Sequence, residues 1–433
     1  MADSAPPVVR RIVDAMESVA PQTSIAPPAL TATAAPSPAP SEAPAPPTPT
    51  RPRNLTLDWL RVLGICAVLV IHLGEVFNPW DEWHVSNPVR SRLAGEVVVF
   101  FAPWIMPMMF LVAGWSSCYA LERRPNRRFV RERFVRLGIP LVLGVLLLVP
   151  PQVYLERRLR GQFTGSLVAF YPHFFDGIYP QGNFSWHHLW FLGHLLVYSL
   201  VALPLFRYWR SERGRLQLRR IATWCAGPFG LLWLAAPLVL ERHVLWWLLP
   251  ARAALTVDWA NHAILFVAFV YGYMLAAEPA FLTDLDQQWK SAARFAIAMS
   301  AALWAMAWRG LLPNGIPEPY STGYLAFWSI YGVGAWAWVV FVIGVARRVR
   351  WRDPPLFVWA RDRSYAWYLV HQPVVVAAAV AVIPTSLPLG AKVAAVSALS
   401  IVGTVIATEA LAHFRVTRVM LGLAGVRERA GSA

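Results

Sequence analysis

Charge is scarce in this chain. Of its 433 residues 15% are charged and 57% are hydrophobic, and acidic residues are rarer than basic ones, 24 against 39. That balance excludes a soluble globule, which carries about a quarter of its residues as charges. Cysteine is almost absent. Cys66, Cys118 and Cys225 each lie in or at the edge of an apolar run, without metal-ligand spacing. They suggest neither a disulfide framework nor a metal site, and the expected role is that of small buried hydrophobes. Internal repeats are missing too: no period and no matching halves can be found, which counts against a transporter built from repeats.

The N-terminal segment lacks apolar residues in any run. Twelve of the first fifty positions are proline, mixed with Ala, Ser and Thr as in TATAAPSPAPSEAPAPPTPT. With no apolar core it does not read as a signal peptide, and it cannot bury enough surface to fold. Residues 1–52 are expected to be a disordered Pro/Ala-rich cytoplasmic tail, with at most a short helix near Val8–Val19.

Long apolar runs fill the rest. Ten spans can be read, at about 55–77, 97–121, 137–155, 188–206, 221–240, 259–277, 291–310, 324–346, 364–383 and 390–412. The expected fold is therefore all-α: a polytopic bundle of about 10 transmembrane helices over residues 53–414, followed by a short basic cytoplasmic tail, 415–433. The 22 tryptophans suit many helix ends at the membrane interface. A net charge of +15 raises nucleic acid as a partner. The arginines, however, gather in short loops between apolar runs, as the positive-inside rule predicts. The partner they indicate is the lipid bilayer and not nucleic acid.

Those loops also set an orientation. ERRPNRRFVRERFVR, RYWRSERGRLQLRR and ARRVRWRDPP are strongly basic, and Arg415 and Arg418 follow the last span. All fall on one side if both termini are cytoplasmic. Two segments fit poorly: 156–160 puts three arginines outside, and 278–290 is acidic inside.

Candidate chemistry begins in the first span. Arg61 and His72 lie eleven residues apart, about three helical turns or roughly 16 Å, on one face with Asp58 and Glu75. An ionisable stripe in a membrane helix marks a functional site facing the protein interior. A neutral His72 near mid-membrane can take a proton from a hydroxyl, and Arg61 can hold a phosphate or a thioester carbonyl. The bland alternative for His72 is a satisfied histidine inside the bundle. Arg133 and Arg136, three apart at the start of the third span and extended by Arg128 and Arg131, suit an anion clamp or simply mark topology. Ser364, Tyr368 and His371 recur at i, i+4 and i+7 on one face of the ninth span. Glu409 with His413, and Asp258 with Asn261 and His262, read as structural polar contacts. The loop 156–187 is rich in aromatic residues (Phe163, Phe170, Tyr171, Phe174, Phe175, Tyr179, Phe184, Trp186), with His173, Asp176, His187 and His188 in or beside it. It reads either as a sugar platform or as an interfacial belt with loop packing.

Taken together these blocks resemble a family. LDWLRVLGICAVLVIH is similar to the opening helix of membrane acyltransferase family 3, with its Arg-x10-His pattern at Arg61 and His72. MPMMFLVAG, 106–114, resembles its second-span signature, RERFVRLGIPL its Arg-x-x-Arg element, and HLWFLGHLLVYSL and RSYAWYLVHQPVVV its later blocks. The likeness runs over about residues 54–415. HLWFL and MPMMFLVAG look closest to the glucans biosynthesis protein C branch, which resembles succinyltransferases of periplasmic glucans. Trp59 and Val62 depart from the small residues many members carry beside the arginine.

The resemblance implies a multi-pass inner-membrane O-acyltransferase. Its donor would be cytoplasmic acyl-CoA, and its acceptor a hydroxyl of a carbohydrate or lipid-linked glycan. It further implies catalysis at His72 partnered by Arg61, donor binding by Arg133 and Arg136, and substrate contacts from His188, Ser364, Tyr368 and His371. No bound cofactor and no metal are expected. The alternative is a multi-span transporter of protons or an anionic solute.

Overall fold

A computed structural model describes residues 53–248, 259–309 and 321–423. The expected tail 1–52, its helix near Val8–Val19, and Asp258 lie outside the described residues. Among those described, the fold is helical with no strand, only an isolated bridge between Ile178 and Phe184.

Helix α1 is Leu55–Glu75, α2 Arg92–Arg123 and α3 Asn126–Leu159. The short α4, Leu167–His173, lies in the loop that follows. Then come α5 Trp190–Val201, α6 Leu203–Trp209, α7 Glu212–Cys225 and α8 Ala235–Leu248. The remainder are α9 Trp259–Ala277, α10 Pro279–Trp308, α11 Thr322–Arg348, α12 Pro355–Val382, α13 Leu389–Leu411 and α14 Arg415–Met420. Among the described residues six helices are long and apolar enough to cross a bilayer, and nine spans result if each of three bent pairs counts as one. This is a multi-pass membrane protein, with a span count of six to nine in place of the ten expected. The difference lies in the bends: 47° between α5 and α6, 117° between α7 and the helix from Gly230, and 107° between α9 and α10. Hydropathy registers apolar runs but is blind to the direction in which they continue.

A break inside a membrane exposes backbone groups, which must find partners in the protein. At the 117° bend they do. Gln288 of α10, 3% exposed, accepts from Leu231 N at 2.8 Å and donates to Cys225 O at 2.8 Å. Trp336 Nε1 donates to Leu231 O at 2.8 Å.

The bundle core is built by α2 against α9, α10 against α11, and α1 and α13 against α12. Apolar burial does not favour helix–helix contact over lipid contact, so close packing has to supply the attraction. Between α2 and α9 it comes from two glycines. A Cβ at Gly114 would lie 1.8 Å from Phe269 O, and one at Gly272 would lie 1.9 Å from Leu111 O.

Both charge anomalies in the sequence are resolved by pairing. Arg157 is buried and donates to Asn183 Oδ1 (2.9 Å), Gln162 Oε1 (2.8 Å), Pro180 O (2.7 Å) and Gly182 O (2.7 Å), pinning the loop after α3. Arg158 donates to Tyr154 Oη, and Arg160 pairs with Glu156 at 3.3 Å. These arginines are loop structure, so they carry no topological signal. In the acidic segment, Asp286 takes both Arg347 Nε (3.0 Å) and Nη2 (2.8 Å), and Glu278 pairs with Arg219.

One further expectation is corrected. Cys66 is exposed, because its position on α1 turns away from the interior stripe, while Cys118 and Cys225 are buried. In the described part of 415–433, Arg415–Met420 is the helix α14, and Val419, Met420, Leu421 and Leu423 are buried. Trp59 stacks on Phe357 at 3.8 Å between ring centroids and donates to Arg352 O, so it packs against the start of α12.

The glycine pair yields a test. Alanine is the better helix former by about 0.5–1 kcal/mol. A backbone oxygen within 2 Å cannot be cleared without moving a helix, and overpacking costs about 1–3 kcal/mol or more. Gly114→Ala and Gly272→Ala are therefore expected to lower the thermal midpoint of the detergent-solubilised protein. Gly390→Ala, whose Cβ meets nothing within 4 Å, should not lower it. Equal midpoints for all three would show that α2 and α9 are not locked by this contact.

Candidate active site

On α1 the polar stripe does face the protein: Asp58, Ile65 and Val68 are buried, and Arg61, His72 and Glu75 half-buried. His72 Nδ1 lies 2.8 Å from Val68 O. A carbonyl only accepts, so this nitrogen carries the ring hydrogen. The same Nδ1 lies 3.3 Å from His371 Nε2 on α12. His371 Nδ1 faces Tyr368 O at 2.7 Å and Trp367 O at 3.2 Å, so its hydrogen is there and its Nε2 can accept from His72.

A third histidine completes the group. His188, just before α5, donates from Nε2 to Leu369 O at 2.9 Å, and its own carbonyl accepts the Tyr368 hydroxyl. The His188 and His371 rings are 5.2 Å apart. Backbone carbonyls thus fix all three tautomers. His72 makes its bonds through Nδ1, which leaves the Nε2 lone pair open, and His188 Nδ1 is buried with no partner. The unit presents a neutral base and, beside it, a second acceptor.

The sequence placed His72, His188, Tyr368 and His371 among its candidates, and the fold brings these four together. Ser364 does not join them. It is buried, but one turn earlier on α12, and its hydroxyl donates to Arg361 O at 2.9 Å. Arg61 is not beside His72 either, because three turns of α1 separate them. It contacts Asp58 Oδ1 (3.2 Å) and Ser116 Oγ (3.3 Å). The neighbouring serine, Ser117, accepts from Arg133 Nη2 at 2.8 Å, so Arg61 and Arg133 meet at consecutive positions of α2. The Arg133 guanidinium also lies 4.7 Å over the Phe129 ring. Arg136 sits in a π-helical turn, Phe134–Gly138, with its side chain exposed and its carbonyl accepting from Tyr365 Oη at 2.9 Å. Such turns re-aim side chains and recur at functional sites. The arginines form one pole of the molecule, the Arg61–Arg133 end.

The opposite pole lies beyond Trp83, whose ring is 5.7 Å from His72 and 5.0 Å from His84. His84 Nδ1 is 3.1 Å from both Glu156 Oε2 and Tyr179 Oη. His187 lies 4.2 Å from His84, ring to ring. Burial and the adjacent Glu156 charge push the Tyr179 phenol well above its usual range, so it stays a donor to Glu156. In the sequence Tyr179 and His187 stood in the aromatic loop, but their grouping with His84 and Glu156 was missed, because the residues come from three segments with no motif spacing. The aromatic loop packs in part into the bundle core. Phe170 and Phe174 are buried, and only Phe175 and Phe184 are clearly exposed among its packed rings. Of the remaining polar candidates, His262 stacks on His194, while Glu409 pairs with Arg363 and accepts through its carbonyl from His413.

Geometry of this kind describes a membrane protein with a cluster of three histidines between a cationic end and a polar end. A family model for the acyltransferase domain, acyltransferase 3, matches residues 54–409. The chain belongs to that family of acyltransferases. Curated relatives include the glucans biosynthesis protein C of Salmonella paratyphi B, Salmonella heidelberg and Salmonella schwarzengrund. Each is 25% identical over 171 residues, covering 37% of this chain and 41% of the relative. The chain thus spans about two-fifths of the length of the curated relatives it matches. No solved structure matches.

The tautomers are directly observable. In ¹⁵N spectra of histidine-labelled protein, His72 and His371 are expected as Nδ1–H forms and His188 as Nε2–H, assigned by single replacement. A His72 ring protonated at Nε2 would contradict the arrangement.

Proposed function

We propose that the protein is a membrane-embedded O-acyltransferase. It moves an acyl group from acyl-CoA, held at the Arg61–Arg133 end, to a hydroxyl of a carbohydrate or lipid-linked glycan reaching His72 from the opposite end. The observation that carries this reading is the His72 ring: Nδ1–H is committed to Val68 O and His371, and Nε2 is left as a base. In the reaction, Nε2 takes the proton of the acceptor hydroxyl. The oxygen attacks the thioester carbonyl, and the thiolate of CoA leaves. The imidazolium then returns a proton to that sulfur. His371 stabilises the charged intermediate through the Nδ1 contact, and the unpartnered Nδ1 of His188 suits a second substrate hydroxyl.

Donor binding at Arg133 and Arg136 follows from their charge and from the reach of a guanidinium fork to phosphate. Arg61 belongs to this donor group in our reading and is not a proton-transfer partner. The relatives' name supports a glucan-type acceptor and makes succinyl or acetyl the first acyl groups to try. If α9 and α10 cross separately, the spans number ten and both termini fall on one side. The basic loops make that the cytoplasmic side of an inner membrane. A transporter draws support from the bent helix pairs, but the sequence carries neither the internal period nor the matching halves that usually go with such breaks.

His72→Gln is the test. Glutamine keeps bulk and hydrogen bonding but takes up no proton near neutral pH. Transfer of label from acyl-CoA to glucan is expected to fall by about 10²–10⁴ at equal protein level. Transfer within about threefold of the parent would remove His72 from the chemistry.

A further inference from the structure

The polar end holds a second cluster that acyl transfer at His72 does not use. His84 comes from the connection between α1 and α2, Glu156 from the last turn of α3, and His187 from the end of the following loop. One ligand atom from each lies within 4.8 Å of the other two. Glu156 is fully buried, His187 is 6% exposed, and His84 is half-buried.

Hydrogen bonds explain only part of this group. His187 Nδ1 is engaged by Ser185 Oγ at 3.0 Å, while its Nε2 is buried and unpartnered. A bare nitrogen buried beside an imidazole and a carboxylate carries a desolvation cost with nothing to offset it. A cation coordinated between the three would supply the missing partner.

We infer that His84, Glu156 and His187 form a binding site for a divalent transition metal of the zinc type. Two imidazoles and one carboxylate are a recognised zinc donor set, with a fourth position open to water or an incoming oxygen. Zinc–ligand bonds of about 2.0–2.1 Å set tetrahedral ligand atoms about 3.3 Å apart. His84 Nδ1 and Glu156 Oε2 are already 3.1 Å apart. The supporting groups fit as well. Ser185 holds the remote nitrogen of His187, and Arg160 holds Glu156 Oε1 at 3.3 Å, while Oε2, which also accepts from Tyr179 Oη at 3.2 Å, is the oxygen turned toward His84. Arg157 lies alongside, but its donors are committed to the loop. The ion would cross-link three segments of the chain, one helix-connection away from His72. Such a site contradicts the expectation from sequence that the chain holds no metal. It stands independently of the acyl-transfer reading, since it uses none of the same side chains.

The experiment is a metal titration of the tag-free full chain in detergent. After chelation and dialysis, the protein is equilibrated with zinc, separated from free metal, and assayed by mass spectrometry. Cobalt(II) is loaded in parallel and its visible spectrum recorded. The parent protein is expected to retain about one zinc per chain and to give intense tetrahedral cobalt bands. His84→Ala and His187→Ala should each lose most of both signals. His173→Ala, which removes an exposed histidine paired with Asp176, should keep them. A parent protein with neither stoichiometric zinc nor tetrahedral bands would overturn the site, whatever the variants do. So would retention by His84→Ala and His187→Ala equal to the parent. Because the first reading is made on the unaltered chain, misfolding of a variant cannot rescue or sink the inference.

Discussion

The contact between the His72 ring and the Val68 carbonyl governs the rest of the centre. An imidazole has one hydrogen to place when neutral, and where it goes decides which nitrogen can act as a base. In the rotamer His72 adopts, the carbonyl four residues back lies in reach of Nδ1. The hydrogen stays there, and Nε2 keeps its lone pair. His371 repeats the device with Tyr368 O and Trp367 O, whereas His188 places its hydrogen on Nε2, against Leu369 O of α12. Three histidines can therefore sit together in the bundle without any of them being charged.

The two poles follow from the same constraint. A polar side chain in a membrane bundle must find a partner, so polar residues gather where other polar residues already are. At one pole, consecutive serines of α2 receive Arg61 and Arg133. At the other, Glu156 draws in His84, Tyr179 and Arg160. Helix α1 connects these regions: its eleven-residue spacing sets Arg61 with the arginines and His72 in the histidine group. Arg61 and His72 are thus parts of one stripe with separate surroundings, not partners in contact.

Features that repeat with the helical period were legible in the sequence. The stripe on α1 and the Tyr368–His371 face of α12 could be read because a helix forces those positions together wherever it lies. Ser364 shared that face but stands one turn away from the cluster, which periodicity alone does not reveal. Bends were not legible, since α9 and α10 are each apolar and only the 107° turn between them changes the count. Nor was the Arg157 clamp, whose four acceptors are mostly loop carbonyls and amides with no pattern of their own. The His84–Glu156–His187 cluster was hidden for a related reason: it joins three segments, each of which contributes a single residue.

The central claim is that one histidine centre serves a donor arriving from one pole and an acceptor arriving from the other. Reconstitution tests it most directly, with the protein in sealed vesicles of known orientation, labelled acyl-CoA on the Arg61–Arg133 side alone and a glucan acceptor on the opposite side alone. The account predicts acylated glucan in that arrangement and none when the two compartments are exchanged. Product formed only when donor and acceptor share the same compartment would contradict it.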